Sequence, residues 1–417
     1  MRSVKFFTLG CKVNQYDTQE MRERFLEAGF KEAAGGAAAD IYIINTCTVT
    51  RKADKDSLYY IHRSRRENPK AKIIVTGCLA ELDHAVIKAQ PGVSRIVRNR
   101  DKAGIVTFLK RTSRSQKSGI SDFQGHTRAF VKVQDGCNNF CSYCKVPYVR
   151  GRSRSRRLCS VVSEVKRLVA NGYKEIVLTG ICLGAYGRDL SPRRALVDLI
   201  KDLEKISGLS RIRLSSIEAG DVSDALIRRM AESKKLLPHL HIPIQSGDDG
   251  ILKKMNRSYS RSGYLALIRR IRKAIPDIAI TTDVLVGFPG ETQEQFQNTV
   301  DLVKKIKPLR AHIFPFSLRP GTAAAGFGCT VRPEVIRKRT ALLGKVCHDS
   351  TKRYLKQFLG RQAEVLFEQE RKGQAGLWEG YTRHYLRVVK KSKDDLQNRL
   401  IVVKVGQIAG EDLLEKN

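Results

Sequence analysis

The chain has no apolar run of about 18 residues or more, so no segment reads as a membrane-spanning helix. The stretch after Met1, VKFFTLGC, is too short and strand-like to be expected as an export signal. Ten cysteines without such a signal point to a reducing, cytoplasmic setting, where clustered thiols bind metal more often than they pair. Acidic residues are scarce: 42 Asp and Glu stand against 77 Lys and Arg, a formal charge of +35. That excess attracts polyanions by counterion release and makes nucleic acid the first partner to consider. Long repeats and low-complexity tracts are absent as well. The 417 residues suffice for two or three ordinary packed domains.

What is present is concentrated. Cys137, Cys141 and Cys144 follow one another at intervals of 4 and 3 in GCNNFCSYCKVPYVRGRSRSR. No histidine or fourth cysteine follows nearby to close a four-ligand zinc site. An iron–sulfur cube held by three cysteines instead keeps one iron open to a substrate or cofactor. The alternative, a chance group of buried thiols, fits poorly with three of ten cysteines falling within eight residues. From Lys145 to Arg157 there are six basic residues and no acidic one. Arg150, Arg152, Arg154, Arg156 and Arg157 are therefore expected to contact RNA phosphates, a plain solvated face being the other reading.

The fold class is α/β. In the first ~120 residues strands and helices alternate as in an open parallel sheet. Strands are predicted over 4–10, 41–46 and 72–77, and helices over 14–28, 53–67 and 79–89. Each strand is followed at once by a cysteine: Cys11, Cys47 and Cys78. Ligands of such sheets gather at the carboxyl ends of the strands, so the three thiols are expected to converge as a second cluster site with one open iron. The polar stretch QKSGISDFQGHTR, within 101–128, reads as a linker. Six further strand–helix units, with strands at 129–134, 175–180, 211–218, 241–245, 279–287 and 310–317, predict a partial (β/α)6 barrel. The last ~65 residues, with β-rich runs at 363–368, 377–390 and 399–410, predict a small antiparallel β-barrel of an RNA-binding kind. Trp378, Tyr381 and Tyr385 are read as core before they are read as stacking faces. The expected domains are 1–120, 125–350 and 353–417.

Taken together, TLGCKVNQYDT (8–18), NTCTVT (45–50), TGC (76–78), CNNFCSYC, HIPIQSGDDGILKKMNRSY (241–259), TTDVLVGFPGET (281–292) and FPFSLRPGT (314–322) resemble the motifs of the radical S-adenosylmethionine (SAM) methylthiotransferase family. The likeness spans essentially the whole chain. GCKVNQYD (10–17) is most similar to the MtaB-like branch, which acts on N6-threonylcarbamoyladenosine 37 of tRNA. The resemblance implies an amino-terminal cluster domain, a radical SAM barrel and a carboxyl-terminal TRAM-like barrel. It implies two 4Fe–4S clusters, one on Cys11, Cys47 and Cys78 and the other on Cys137, Cys141 and Cys144. One SAM at the second cluster would yield a 5′-deoxyadenosyl radical that takes hydrogen from C2 of the base. The first cluster would deliver sulfur, and a second SAM the methyl group.

Glu218 and Gln245, at barrel strand ends, are expected to hold SAM, whereas Asp283 and Ser317 read as ordinary strand-end polar residues. TGICLGAYG (179–187) and VGFPGE (286–291) are weaker candidates for close backbone approach to the cofactor. Cys159, Cys182, Cys329 and Cys347 are read as structural. The implied partners are tRNA, an electron-donor protein and a sulfur source, with the chain acting as a monomer and no membrane involved. A threonylcarbamoyl substrate carries a carboxylate, so an arginine or lysine is expected near the barrel mouth. Both cysteine triads should open onto one cavity. The competing readings are isopentenyladenosine 37 or a ribosomal-protein aspartate as substrate, and a non-catalytic iron–sulfur sensor that binds RNA.

Overall fold

The computed structural model of the chain describes residues 2–109 and 118–416. Strands are numbered in chain order. The first five are β1 Ser3–Thr8, β2 Lys31–Glu32, β3 Ile41–Thr46, β4 Lys72–Gly77 and β5 Val93–Ile96. They form one parallel sheet in the order 2-1-3-4-5. The uninterrupted apolar runs of β3 and β4 follow from burial on both faces, Ile41, Tyr42, Ile43, Ile44, Ile73, Ile74 and Val75 all being inaccessible to solvent. The short strands β2 and β5 at the edges carry too little apolar pattern to be foreseen. The helix predicted over 79–89 is two short ones, Cys78–Leu82 and His84–Lys88, broken at Asp83, whose carboxylate caps the second by accepting from the Val86 N–H at 3.1 Å.

Six strands build the partial barrel: β6 Arg128–Lys132, then, after the short antiparallel pair β7 Gln134–Asp135 and β8 Arg154–Ser155 that brackets the cysteine loop, β9 Glu175–Thr179, β10 Arg211–Leu214, β11 His239–His241, β12 Ala279–Val286 and β13 Arg310–Pro315. Two parallel trios, 10-9-6 and 11-12-13, meet through single bridges between β10 and its neighbours, such as Ser216 with His241. Outer helices pack over them onto a large apolar core that includes Val131, Leu178, Leu214, Ile244, Val284 and Phe296. The arc has free edges at β6 and β13.

The segment read as a polar linker is tied down where it is described. Ile120 and Phe123 are buried, and the Ile120 N–H donates to Glu164 at 3.1 Å. Residues 110–117, which include its first two positions, lie outside the described residues.

The helix Pro333–Lys356 leads into a closed barrel of β14 Gln362–Arg371, β15 Gln374–Thr382, β16 Arg387–Lys391, β17 Leu400–Ala409 and β18 Asp412–Glu415. Closure leaves no open strand edge. All its pairs are antiparallel except β16 with β18, which runs parallel and was not foreseen. The run 377–390 is split between two strands by a turn at Tyr385, whose φ is +66°. Trp378 belongs to this barrel's core with Val365, Val388 and Val403. Tyr381 and Tyr385 pack against each other with centroids 5.1 Å apart, and Arg128 lies over both rings, so they join the barrels rather than face solvent.

Candidate cluster sites and the seam between them

The three cysteine-bearing strands β1, β3 and β4 are neighbours in the sheet, so Cys11, Cys47 and Cys78 fall side by side along its carboxyl edge. Two glycines set this edge. Gly10 has φ +92°, and a Cβ there would sit 2.7 Å from the Cys47 Sγ; Gly77 has φ +98°, and a Cβ would meet the Thr46 backbone at 2.3 Å. Both positions need a left-handed conformation and a close approach that a side chain forbids. The motif side chains lash the three strand ends together. Asn14 donates to the carbonyls of Leu9 and Thr46 at 2.7 and 3.0 Å. Asn45 donates to the carbonyl of Asn14, and Thr46 to that of Thr76. Cys47 and Cys78 are buried while Cys11 is exposed. Burial pushes the Cys47 thiol up to about 11.

The second triad lies on the loop after β6 and β7. The N–H of Asn139 points at the Cys137 Sγ and that of Val146 at the Cys144 Sγ, each at 3.4 Å. Arg257 donates to the Cys141 Sγ at 3.2 Å and also pairs with Glu218. Donors aimed at sulfur are what thiolates on a cluster require. Asn256, held at φ +57°, fixes the loop by donating to the carbonyls of Asn139 and Phe140, both at 3.1 Å. Burial pushes Cys144 up to about 12, whereas a hydrogen bond from Cys182 brings Cys137 down to about 7. Cys182, read from sequence as structural, is thus a fourth thiol in contact with the triad.

Among the described residues, the sole group of three ligand atoms all within 4.8 Å of one another is His241, Asp283 and His312. Neither cysteine triad is drawn that tightly, as a single ion would require. An iron–sulfur cube, whose corner irons hold their thiolates apart, fits both donor sets better.

The segments that carry the two triads pack against each other along one seam. The helix Val146–Arg150 begins two residues after Cys144, and its last residue, Arg150, reaches the other site. There the Arg150 guanidinium works with Lys102 against the upward push of burial on the Cys78 thiol. It also donates to Asp135 at 2.9 Å, binds Asn14 and lies 3.5 Å from Asp17. Asp17 pairs with Lys102 at 3.0 Å and with Lys132. Burial alone would raise its carboxyl, but these three cations hold it well below the usual carboxylate range. From the other side Arg319 donates to Thr48, next to Cys47, at 2.7 Å and pairs with Asp54 at 2.6 Å.

The predicted basic run divides. Arg150 is almost inaccessible in the seam, and Arg156 is spent on Glu164 at 2.5 Å and the Tyr16 hydroxyl at 2.9 Å. These two serve the interior and not a phosphate surface. Arg152, Arg154 and Arg157 are exposed. Glu218 is paired with Arg257 beside Cys141, and burial pushes its carboxyl up against that cation's pull. Gln245 is half-buried with φ +59°, and its N–H donates to the carbonyl of Asp283 at 2.9 Å. Ser317 is half-buried beyond β13. Asp283 is no strand-end residue: it lies inside β12 and bonds His241 at 3.1 Å. Sequence reading passed over Arg257, Arg319 and His241, although each lies within a quoted motif.

Comparison with known proteins agrees with this geometry. The Radical SAM superfamily profile matches residues 131–303, and that of the Uncharacterized protein family UPF0004 matches 3–98. The chain is therefore a radical SAM protein with a further amino-terminal parallel sheet that carries three cysteines along its carboxyl edge. It belongs to the radical SAM methylthiotransferase family. The threonylcarbamoyladenosine tRNA methylthiotransferase MtaB of Bacillus subtilis is 39% identical over 97% of this chain and 94% of its own length. The MtaB of Thermotoga maritima is 38% identical over 93% and 91%. The tRNA-2-methylthio-N(6)-dimethylallyladenosine synthase of Clostridium tetani is 37% identical over 90% and 87%. Among solved structures, the radical SAM methyltransferase TsrM of Kitasatospora setae superposes with a TM-score of 0.57 at 15% identity, covering 78% of this chain and 74% of that one, a likeness of fold. The cofactors of the family are SAM and two 4Fe–4S clusters.

Proposed function

We propose that this enzyme methylthiolates C2 of N6-threonylcarbamoyladenosine at position 37 of tRNA. The observation that supports the reading is that the helix Val146–Arg150, which follows the second cysteine triad, brings Arg150 beside Cys78 of the first. Cys137, Cys141 and Cys144 would hold the cluster that binds SAM, and Cys11, Cys47 and Cys78 the one that carries sulfur. When bound there, SAM and the clusters supply a radical able to take the C2 hydrogen, together with the sulfur and methyl that replace it. The chain's own residues do the positioning. Arg257 neutralises charge at Cys141 and orients Glu218, which with Gln245 would hold polar groups of SAM. Arg150 and Arg319 lock the two halves of the site so that sulfur carrier and radical source face the same base. Position 37 lies in a single-stranded loop, where an unstacked base can be presented to such a seam. Exposed Arg152, Arg154 and Arg157 sit beside the loop and suit phosphate contacts. The three parts 1–120, 125–350 and 353–417 would act as sulfur-carrying, radical-generating and RNA-holding domains. No described helix is long and apolar enough to cross a membrane. An electron-donor protein and a sulfur source would complete the turnover, with the chain as a monomer.

Relatives named for threonylcarbamoyladenosine are 38–39% identical, and those named for dimethylallyladenosine 34–37%. The deciding measurement is mass spectrometry of tRNA nucleosides from a strain lacking the gene, with and without the intact gene restored. Loss and recovery of 2-methylthio-threonylcarbamoyladenosine is the expected result. Loss of the methylthio-isopentenyl form instead would overturn the substrate and keep the chemistry.

A further inference from the structure

The second cysteine triad is gripped from outside its own loop by three consecutive residues that follow the helix Asp249–Lys254. The Met255 carbonyl accepts from the Ser142 N–H at 3.1 Å, and Asn256 donates to the carbonyls of Asn139 and Phe140. Arg257 comes next, and its guanidinium meets sulfur. Its Nη1 donates to the Cys141 Sγ at 3.2 Å.

The rest of that guanidinium is anchored on the barrel. Its Nε donates to the Tyr259 hydroxyl at 3.2 Å, and the hydroxyl in turn lies 3.0 Å from the carbonyls of both Pro243 and Ile244. Its Nη2 pairs with the Glu218 carboxylate. The Arg257 side chain is only 4% exposed, so its charge acts through protein and not through water. The backbone donors at the other two sulfurs, the N–H groups of Asn139 and Val146, are neutral. Among the described residues, a charged donor reaches Cys141 alone of the three. Burial pushes the Cys141 thiol up, and the charge and hydrogen bond of Arg257 oppose that push.

Reduction adds negative charge to a cluster whose thiolate ligands are already anionic, and hydrogen bonds to those sulfurs help to set its potential. A buried cation on one sulfur stabilises the reduced form more than the oxidised form. A carboxylate paired with that cation does the reverse. Arg257 and Glu218 thus act in opposite senses on one sulfur. The plainer reading is that the pair only braces the cysteine loop.

We propose that Arg257 tunes the cluster held by Cys137, Cys141 and Cys144, raising its reduction potential through the Cys141 sulfur, with Glu218 as the counter-charge that limits the rise. This rests on the placement of a cluster on that triad and is independent of which tRNA base is modified. The tuning serves the first step of turnover, because the electron comes from a donor outside the chain and must pass to this site before SAM is cleaved.

The test is a redox titration of the cluster-loaded full chain, run anaerobically without SAM and followed by electron paramagnetic resonance. The signal that added SAM alters in the wild type belongs to this triad, and the remaining cluster signal is the internal control. In Arg257→Met the ratio of reduced to oxidised cluster at a fixed potential should fall about ten- to a hundredfold, the scale of one charge-assisted hydrogen bond. Arg257→Lys should restore part of it. Glu218→Gln should move the ratio the other way, upward, while the control signal keeps its potential in all three variants. A mere brace predicts no such opposition. An unchanged ratio in Arg257→Met at full iron content, or shifts of Arg257→Met and Glu218→Gln in one direction, overturns the proposal. If Arg257→Met does not keep its iron, Glu218→Gln decides alone, and an unchanged or lower ratio there overturns it. A wild type with no SAM-responsive signal would instead bring down the placement of the cluster itself.

Discussion

At the scale of single residues, the first cluster site depends on positions that carry no chemistry. Gly77 precedes Cys78 at φ +98°, and any Cβ there collides with the Thr46 backbone. Gly77→Ala should cost about 1–3 kcal/mol of strain, all of it at the sheet edge that aims Cys47 and Cys78. We expect its iron content after reconstitution to fall by about half while SAM cleavage persists, because the other triad lies on a separate loop. A full iron complement in this variant would show that the turn does not shape the site. Cys182 makes the converse point. Its spacing from the triad gives no metal signal, and only the return of the chain after β9 brings its thiol to Cys137.

At the scale of elements, the joint between the partial barrel and the closed barrel is a buried ionic network. Glu175 opens β9 with no solvent exposure and accepts from Arg213 at 2.7 Å, with Arg211 at 3.5 Å. Arg211, equally buried, donates to the Glu364 carboxylate at 2.8 Å and to the Tyr381 carbonyl at 3.0 Å. Arg128 crosses the same joint to Glu368. Removing one partner leaves charges uncompensated in the interior, so Glu175→Ala should cost about 3–5 kcal/mol by denaturant titration. A change below 1 kcal/mol would mean the arginines find water instead. Burial alone would raise Glu175, but Arg213, Arg128 and Arg211 hold it below its ordinary 4.5. With the folded value depressed, its stabilisation is complete above about pH 4.5 and is lost as pH falls through the folded value. In Glu175→Gln that acid-side slope should flatten.

At the scale of the whole molecule, a charge of +35 is a field as well as a set of contacts. Phosphate contacts appear as the slope of log affinity against log salt. Replacing exposed Arg152, Arg154 or Arg157 by Ala should lower that slope by about one each, without altering iron content. Arg150→Ala should behave differently. It severs the link from Cys78 to Asp135 and leaves Asp17 with one cation fewer, so cluster loading and thermal stability should fall together. Equal behaviour of all four variants would refute the division of the basic run into surface and seam.

Much was legible from the chain alone because it is local. The apolar runs of β3 and β4 match the prediction residue for residue, since strands buried on both faces have no other reading. The Cys-x3-Cys-x2-Cys loop and the cysteine after each of three strands are spacings, which sequence displays directly. What the chain could not display is what comes from far away along it. That Arg150 and Arg156 are spent inside depends on Asp17, Asn14 and Glu164. That Asp283 bonds His241 depends on strands some 40 residues apart. That Tyr385 stops being a stacking face depends on Arg128 and Arg213 across a domain joint. Sequence by itself determined the kind of fold and where the six cysteines stand along it, because each rests on short-range patterns. Tertiary structure alone decided which arginines of the basic run are exposed and which are buried in ion pairs, because charge is assigned by distance in space.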